Sequence, residues 1–256
     1  MDETDDIFAA QCYCPIIDLD HADLAYEWMF RKKTHYTGMP FVGFSEGDLT
    51  PFAAALSEQL ADAYVDYFNS LKLQNPKDGT LVRIGKEHEG SGYALLMEKL
   101  EQSATKFLAK FEKQALEPVP GVDKHTWLEW DSHTQKARIA GMDAMQETYH
   151  RRLKLCPAFD DLNLIQAENQ EFGTPECDKM HFNPILAGLI EKLQQAFPEE
   201  TKQYLEGYQK VAADQELARR RYLINPMNYI GTEERADMAP HYRIRVGSRD
   251  ADTSLM

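Results

Sequence analysis

Pro240-His-Tyr-Arg-Ile-Arg-Val-Gly-Ser-Arg-Asp-Ala-Asp-Thr253 is the stretch on which the reading of this chain turns. Tyr242, Ile244 and Val246 alternate with Arg243 and Arg245, the period-two pattern of a strand, and Gly247-Ser248 breaks it at a tight turn. Asp250 is thereby set just past a strand end. In open α/β sheets, ligands collect in the crevice beyond the carboxyl ends of the strands, and a carboxylate there can orient a histidine for a nucleophilic serine. The plainer reading of Asp250 is an ordinary turn carboxylate.

At the other end, Phe8-Ala-Ala-Gln-Cys-Tyr-Cys-Pro-Ile-Ile17 is a short apolar run closed by Pro15 and Asp18-Leu-Asp20, which predicts a buried strand. Between the two strands the pattern is helical. His21 to Lys33 carries Leu24, Trp28 and Met29. Thr50-Pro51 is a cap followed by a good first helical residue, and it opens a long amphipathic stripe through Leu73. Thr80 to Ile84 reads as a short edge strand, about Ser91 to Leu116 as a second long helix, and Thr126-Trp-Leu-Glu-Trp130 with Lys136-Ala-Arg-Ile139 as a hairpin. Helices are expected at about Gly141 to Leu155, Asn183 to Phe197 and Glu199 to Leu223. In this scheme Lys154 closes a helix, where a cation suits the carboxyl-terminal partial charge.

Four blocks carry a resemblance. Arg243-Ile-Arg-Val-Gly-Ser-Arg-Asp-Ala-Asp-Thr-Ser254 resembles the acid-bearing turn of tannase-like esterases, α/β-hydrolases that cleave gallate and related phenolic esters. Cys12-Tyr-Cys-Pro15 with Ala25-Tyr-Glu-Trp-Met-Phe30, then Lys154-Leu-Cys-Pro-Ala-Phe-Asp160 leading to Glu168-Asn169 and Phe172-Gly173, and finally Asn225-Pro-Met-Asn-Tyr-Ile230 follow in family order. The resemblance implies an α/β-hydrolase fragment in which a mainly α-helical cap is inserted between two strands of a parallel core sheet. Residues 1–20 would be a core strand segment, 21–238 the cap, and 239–256 the closing strand with its acid-bearing turn.

By the same resemblance Asp250 is the acid of a Ser-His-Asp triad, and Lys154, Glu168 and Asp252 contact the hydroxyls of a galloyl ring. The logic stands on its own chemistry. Carboxylates accept hydrogen bonds from phenols, an ammonium pairs with a phenolate, and a rigid ring rewards fixed partners. Lys154 as a solvated helix end and Glu168 as a loop charge are the structural readings set against this, with Glu171 and Lys179 as neighbouring rivals. The expected partner is a small phenolic ester or aromatic acid, with no cofactor.

In the family the serine elbow precedes the Cys-Tyr-Cys-Pro strand and the histidine follows the aspartate. Neither falls in this chain, so the expectation is a carboxylic ester hydrolase whose nucleophile and base are missing here and which is inactive alone. A helical, non-catalytic binding module that keeps an aromatic-acid pocket is the competing expectation. Gly43-Phe-Ser-Glu-Gly47 matches G-x-S-x-G by letter, but Ser45 is placed in a polar loop away from a helix start and reads as a chance match. His181 and His241 both precede Asp250, against family order, and His241 reads as structural.

Composition bounds the rest. The chain has 256 residues, 43% hydrophobic and 27% charged, which is globular and large enough for one domain or two small ones. A formal charge of -14 argues against nucleic acid and against an anionic membrane surface. No stretch approaches the roughly 18 apolar residues of a membrane span. Location stays open between cytoplasm and export, although Met1-Asp-Glu-Thr-Asp-Asp6 is the opposite of a signal peptide's basic start. Cys12, Cys14, Cys156 and Cys177 lack metal-box spacing, and a Cys156–Cys177 bridge is expected only on export. Two core strands with few partners should leave apolar edges exposed and prone to self-association.

Overall fold

A computed structural model describes residues 7–39, 44–111, 127–148, 151–230 and 239–246. Helix α1, Leu19–Met29, is its centre. It buries nine of its eleven residues and so has no solvent face. Tyr26 and Met29 enter one apolar cluster with Phe159, Phe172 and Phe182, while Leu24 enters a second with Phe52, Leu56, Leu186 and Tyr208. Trp28 joins Ala61, Val65 and Ile84 in a third. Each large apolar side chain buried this way contributes about 1.5–3 kcal/mol. The sequence pattern sets Leu24, Trp28 and Met29 on one side of a helix, whereas each of the three enters a different cluster.

α2, Pro51–Ser70, lies along α1 and starts as its residues dictate. The Thr50 side chain accepts a hydrogen bond from the Ala53 amide at 3.2 Å, and Pro51 occupies the first turn, where its missing N–H costs nothing. α3 spans Gly90–Phe111. Strands β4, Leu128–Asp131, and β5, Lys136–Ile139, form the expected hairpin. α3 covers the outer edge of β5: Thr105 and Glu101 accept hydrogen bonds from the Ala137 and Ile139 amides.

Several elements differ from expectation. Ser45 lies in β3, Phe44–Asp48, which pairs antiparallel with β2, His35–Met39, and not in a loop. Gly38, at φ +78, faces Ser45 so closely that a Cβ there would sit 2.5 Å from the Ser45 carbonyl carbon. Thr80 to Ile84 makes only an isolated bridge, Gln74 to Leu81. α4 is the short helix Met142–Thr148, so Lys154 lies beyond it in an irregular segment. The last long helix divides into α7, Pro198–Ala213, and α8, Gln215–Ile224, because Asp214 leaves helical geometry and caps the Leu217 amide. α5, Ala167–Glu171, and α6, Ile185–Lys192, complete eight α-helices among the described residues.

β1, Ala9–Tyr13, and β6, His241–Arg245, pair in parallel, with Ala9 opposite His241 and Tyr13 opposite Arg245. The strand expected to be buried is therefore open: Phe8 is 75% exposed and Ile244 54%. The connection between the two is almost the whole molecule. Among the described residues no helix is long and apolar enough to cross a membrane.

Candidate functional site

Asp23, Tyr26 and Glu27 stand three and four residues apart on α1 and so share one face. Against that face runs the segment from Arg152 to Asp160, which has no regular structure to satisfy its backbone and takes its partners from side chains. The Tyr26 hydroxyl accepts from the Leu153 and Lys154 amides at 3.1 and 3.0 Å. Arg152 grips Glu27 through both guanidinium nitrogens at 2.8 and 2.6 Å, and donates to the carbonyls of Lys154 and Leu155. Both side chains of that ion pair are wholly buried, and Ser57 donates to the same carboxylate. Burial would lower the Arg152 guanidinium, but Glu27 outweighs it and holds the cation charged.

Asp160 is the second knot. It is fully buried and accepts four hydrogen bonds: from Asn169 and His181 on one oxygen at 2.8 Å each, and from the Phe182 and Asn183 amides on the other at 2.8 and 2.7 Å. Its backbone carbonyl accepts from Tyr208, on whose ring His181 stacks. Asp23 accepts from the Phe159 amide at 2.7 Å and from the Asn183 side chain at 3.2 Å. Burial, with the Asp160 carboxylate adding to it, pushes the Asp23 carboxyl up to about 7.

This scaffold carries Lys154 and Glu168 together. Lys154 is 3% exposed, its Nζ lies 4.2 Å from the centre of the Phe159 ring, and it is 4.0 Å from Glu168 Oε1. Lys154 is thus a buried cation and not a solvated helix end. The rivals Glu171 and Lys179 are exposed, and Ser45 lies exposed on β3. His181 is spoken for by Asp160, and His241 is exposed in β6 beside Phe8. Asp250 and Asp252 lie outside the described residues. The four cysteines are free, with Cys156 buried and Cys177 exposed. No group of three or more metal-ligating side chains that could hold an ion occurs among the described residues.

At the carboxyl end of β1 a second polar cluster forms. Asp18 binds His21 at 2.9 Å and also receives Tyr67 and Asn225. Burial would raise the Asp18 carboxyl, yet these hydrogen bonds outweigh it and hold it below the usual range. An apolar hollow of about 140 Å³ opens beside the cluster, with Ile17, Ala25 and Phe68 in its wall.

No protein-family model matches the sequence, and no curated protein matches it. Solved structures do. The native tannin acyl hydrolase from Lactobacillus plantarum is 31% identical, superposes with a TM-score of 0.74 and aligns over 99% of this chain. The chain is tannase-like. A tannin acyl hydrolase in complex with ethyl gallate gives 28% identity, a TM-score of 0.71 and the same 99% of this chain. The Fusobacterium nucleatum tannase gives 28% and 0.71 over 98%. These matches take in 48%, 48% and 50% of the respective chains, so the tannase-like chain spans about half the length of the tannases it matches.

The sequence blocks that carried the resemblance contain Lys154 and Glu168. The sequence assigns no role to the residues that surround and anchor them: Asp23, Glu27, Arg152, Asp160, Asn169 and Asn183. One signal was available. Asp23 and Glu27 interrupt the otherwise apolar run from Ala22 to Met29 at the spacing of one face, and charges there need partners.

Proposed function

We propose that this chain supplies the acyl-ring subsite and the triad acid of a tannase-type carboxylic ester hydrolase acting on galloyl or related phenolic esters. The observation that carries the reading is the approach of the buried Lys154 to the partly buried Glu168. At 4.0 Å the two atoms are too far apart for a direct hydrogen bond. A hydroxyl oxygen about 2.8 Å from each would span the gap at roughly 90°, accepting from the ammonium and donating to the carboxylate. A ring without that hydroxyl forgoes both of these hydrogen bonds, so such a site selects hydroxylated rings. Related structures with ethyl gallate and with 3,4-dihydroxybenzoate bound support the same ligand class.

In this reading Asp250 is the triad acid and Asp252 a third contact to the ring. The helical block, residues 21–238, is the lid of an α/β-hydrolase, and residues 1–20 and 239–256 are core segments. The parallel pairing of β1 with β6 across a connection of more than two hundred residues favours that placement. The nucleophile, the base and the oxyanion hole come from outside this chain, so it turns over no ester alone.

Calorimetric titration of the chain with gallate tests the reading. Binding is expected, and Lys154→Ala should weaken it about tenfold or more. Equal binding by the variant, or none by the parent chain, would remove the basis for the site.

A further inference from the structure

The Lys154–Glu168 pair is assembled from two segments with little local means of holding their positions. Glu168 sits on α5, a helix of five residues without a side-chain cap at its start, too short to fix itself. Asn169, the next residue, is completely buried. Its side-chain amide donates to Asp160 Oδ1 at 2.8 Å and to the Met180 carbonyl at 3.1 Å, and its own carbonyl accepts from the Met180 amide at 2.9 Å. On the other side, Asp160 follows Phe159, whose ring lies beneath the Lys154 ammonium and whose amide is pinned by Asp23. The links close a ring: Glu168 to Asn169 by the chain, Asn169 to Asp160 by a hydrogen bond, Asp160 to Phe159 by the chain, and Phe159 to Lys154 by contact.

We propose that Asn169 is a positioning residue for ring selection: through Asp160 it ties the helix bearing Glu168 to the segment bearing Lys154, and so sets the gap between them. The inference rests on the reading of Lys154 and Glu168 given above. Asn169 touches no substrate in this scheme. Its effect falls on the hydroxyl-dependent part of binding, because a displaced carboxylate no longer shares a hydroxyl with the ammonium. Asp160 keeps three of its four donors when the Asn169 amide is removed, so the fold is expected to survive.

The experiment compares ethyl gallate with ethyl benzoate on the whole chain by calorimetry, alongside thermal melts. The parent chain should prefer ethyl gallate, and Lys154→Ala should abolish the preference. Asn169→Ala should reduce it about tenfold, the weight of roughly one charge-assisted hydrogen bond, with ethyl benzoate affinity unchanged. Tyr208→Phe, which removes a different hydrogen bond to Asp160, should lower the melting temperature by a similar amount and leave the preference intact. An Asn169→Ala chain with the parent preference, where Lys154→Ala has lost it, overturns the positioning role alone. A parent chain without the preference, or a Lys154→Ala chain that keeps it, overturns the site reading and this inference with it. Should Asn169→Ala fail to fold, Asn169→Ser, whose hydroxyl stops short of Asp160, answers the same question.

Discussion

Helix α1 and strand β6 treat their side chains in opposite ways. α1 takes two carboxylates, Asp23 and Glu27, fully out of water, and all four of their oxygens accept hydrogen bonds from Phe159, Asn183, Arg152 or Ser57. β6 leaves all five of its residues exposed, Tyr242 and Ile244 among them, and β1, its one partner among the described residues, is nearly as open. An unpaired buried charge costs several kcal/mol, so the interior of the helical block had to be completed within this chain. An exposed apolar strand costs far less, so nothing compels its completion here. The difference separates a helix whose buried carboxylates find all their donors within this chain from a pair of strands whose faces stand open among the described residues.

The sharpest way to break that contrast is Arg152→Met. It strands the Glu27 carboxylate in the core and leaves the Lys154 and Leu155 carbonyls short of a donor. Urea unfolding should show a loss of about 3–5 kcal/mol. A loss below about 1 kcal/mol would mean that the pair is not desolvated as described.

Asp23 offers a subtler break. Its folded carboxyl is raised to about 7, above the ordinary value, so the native state binds the proton more tightly than the unfolded chain does. Its contribution is therefore most favourable below about pH 4 and is lost as pH rises through about 7, by on the order of 4 kcal/mol at full span. Asp23→Asn should flatten this part of the stability profile between pH 4 and 7. Parallel profiles for variant and parent would show that the carboxyl is ionised throughout.

The smallest effect on stability belongs to the strands. Ile244→Lys should shift the unfolding free energy by less than about 0.5 kcal/mol, since the side chain is already half in water. The same change should dissolve any concentration-dependent association seen by sedimentation, because a charge on an open edge discourages strand pairing. A parent chain that stays monomeric across the concentration range would show these edges to be adequately guarded.

The strands and helices that could be read from residues were those whose signal is local. Thr50-Pro51 opens α2 through a cap that needs no distant partner, and the alternation of Tyr242, Ile244 and Val246 marks β6 whether or not it is covered. Periodicity sets Lys154 at a helix end, one of its two readings, and misses its burial, which comes with Tyr26, Arg152 and Phe159, none of them fixed relative to it by periodicity. The β2–β3 hairpin was missed because Gly38 and Gly47, poor strand formers by propensity, are used there for close approach.

By itself the sequence determined where the chain turns helical and that an apolar strand lies near each end. Tertiary structure alone decided that Lys154 and Glu168 meet, that Asp23, Glu27 and Asp160 are their foundation, and that β1 runs parallel to β6. The reason is physical: periodicity reports which side of an element avoids water, whereas the partner of a buried charge is chosen by distance in space, across more than a hundred residues for Glu27 and Arg152.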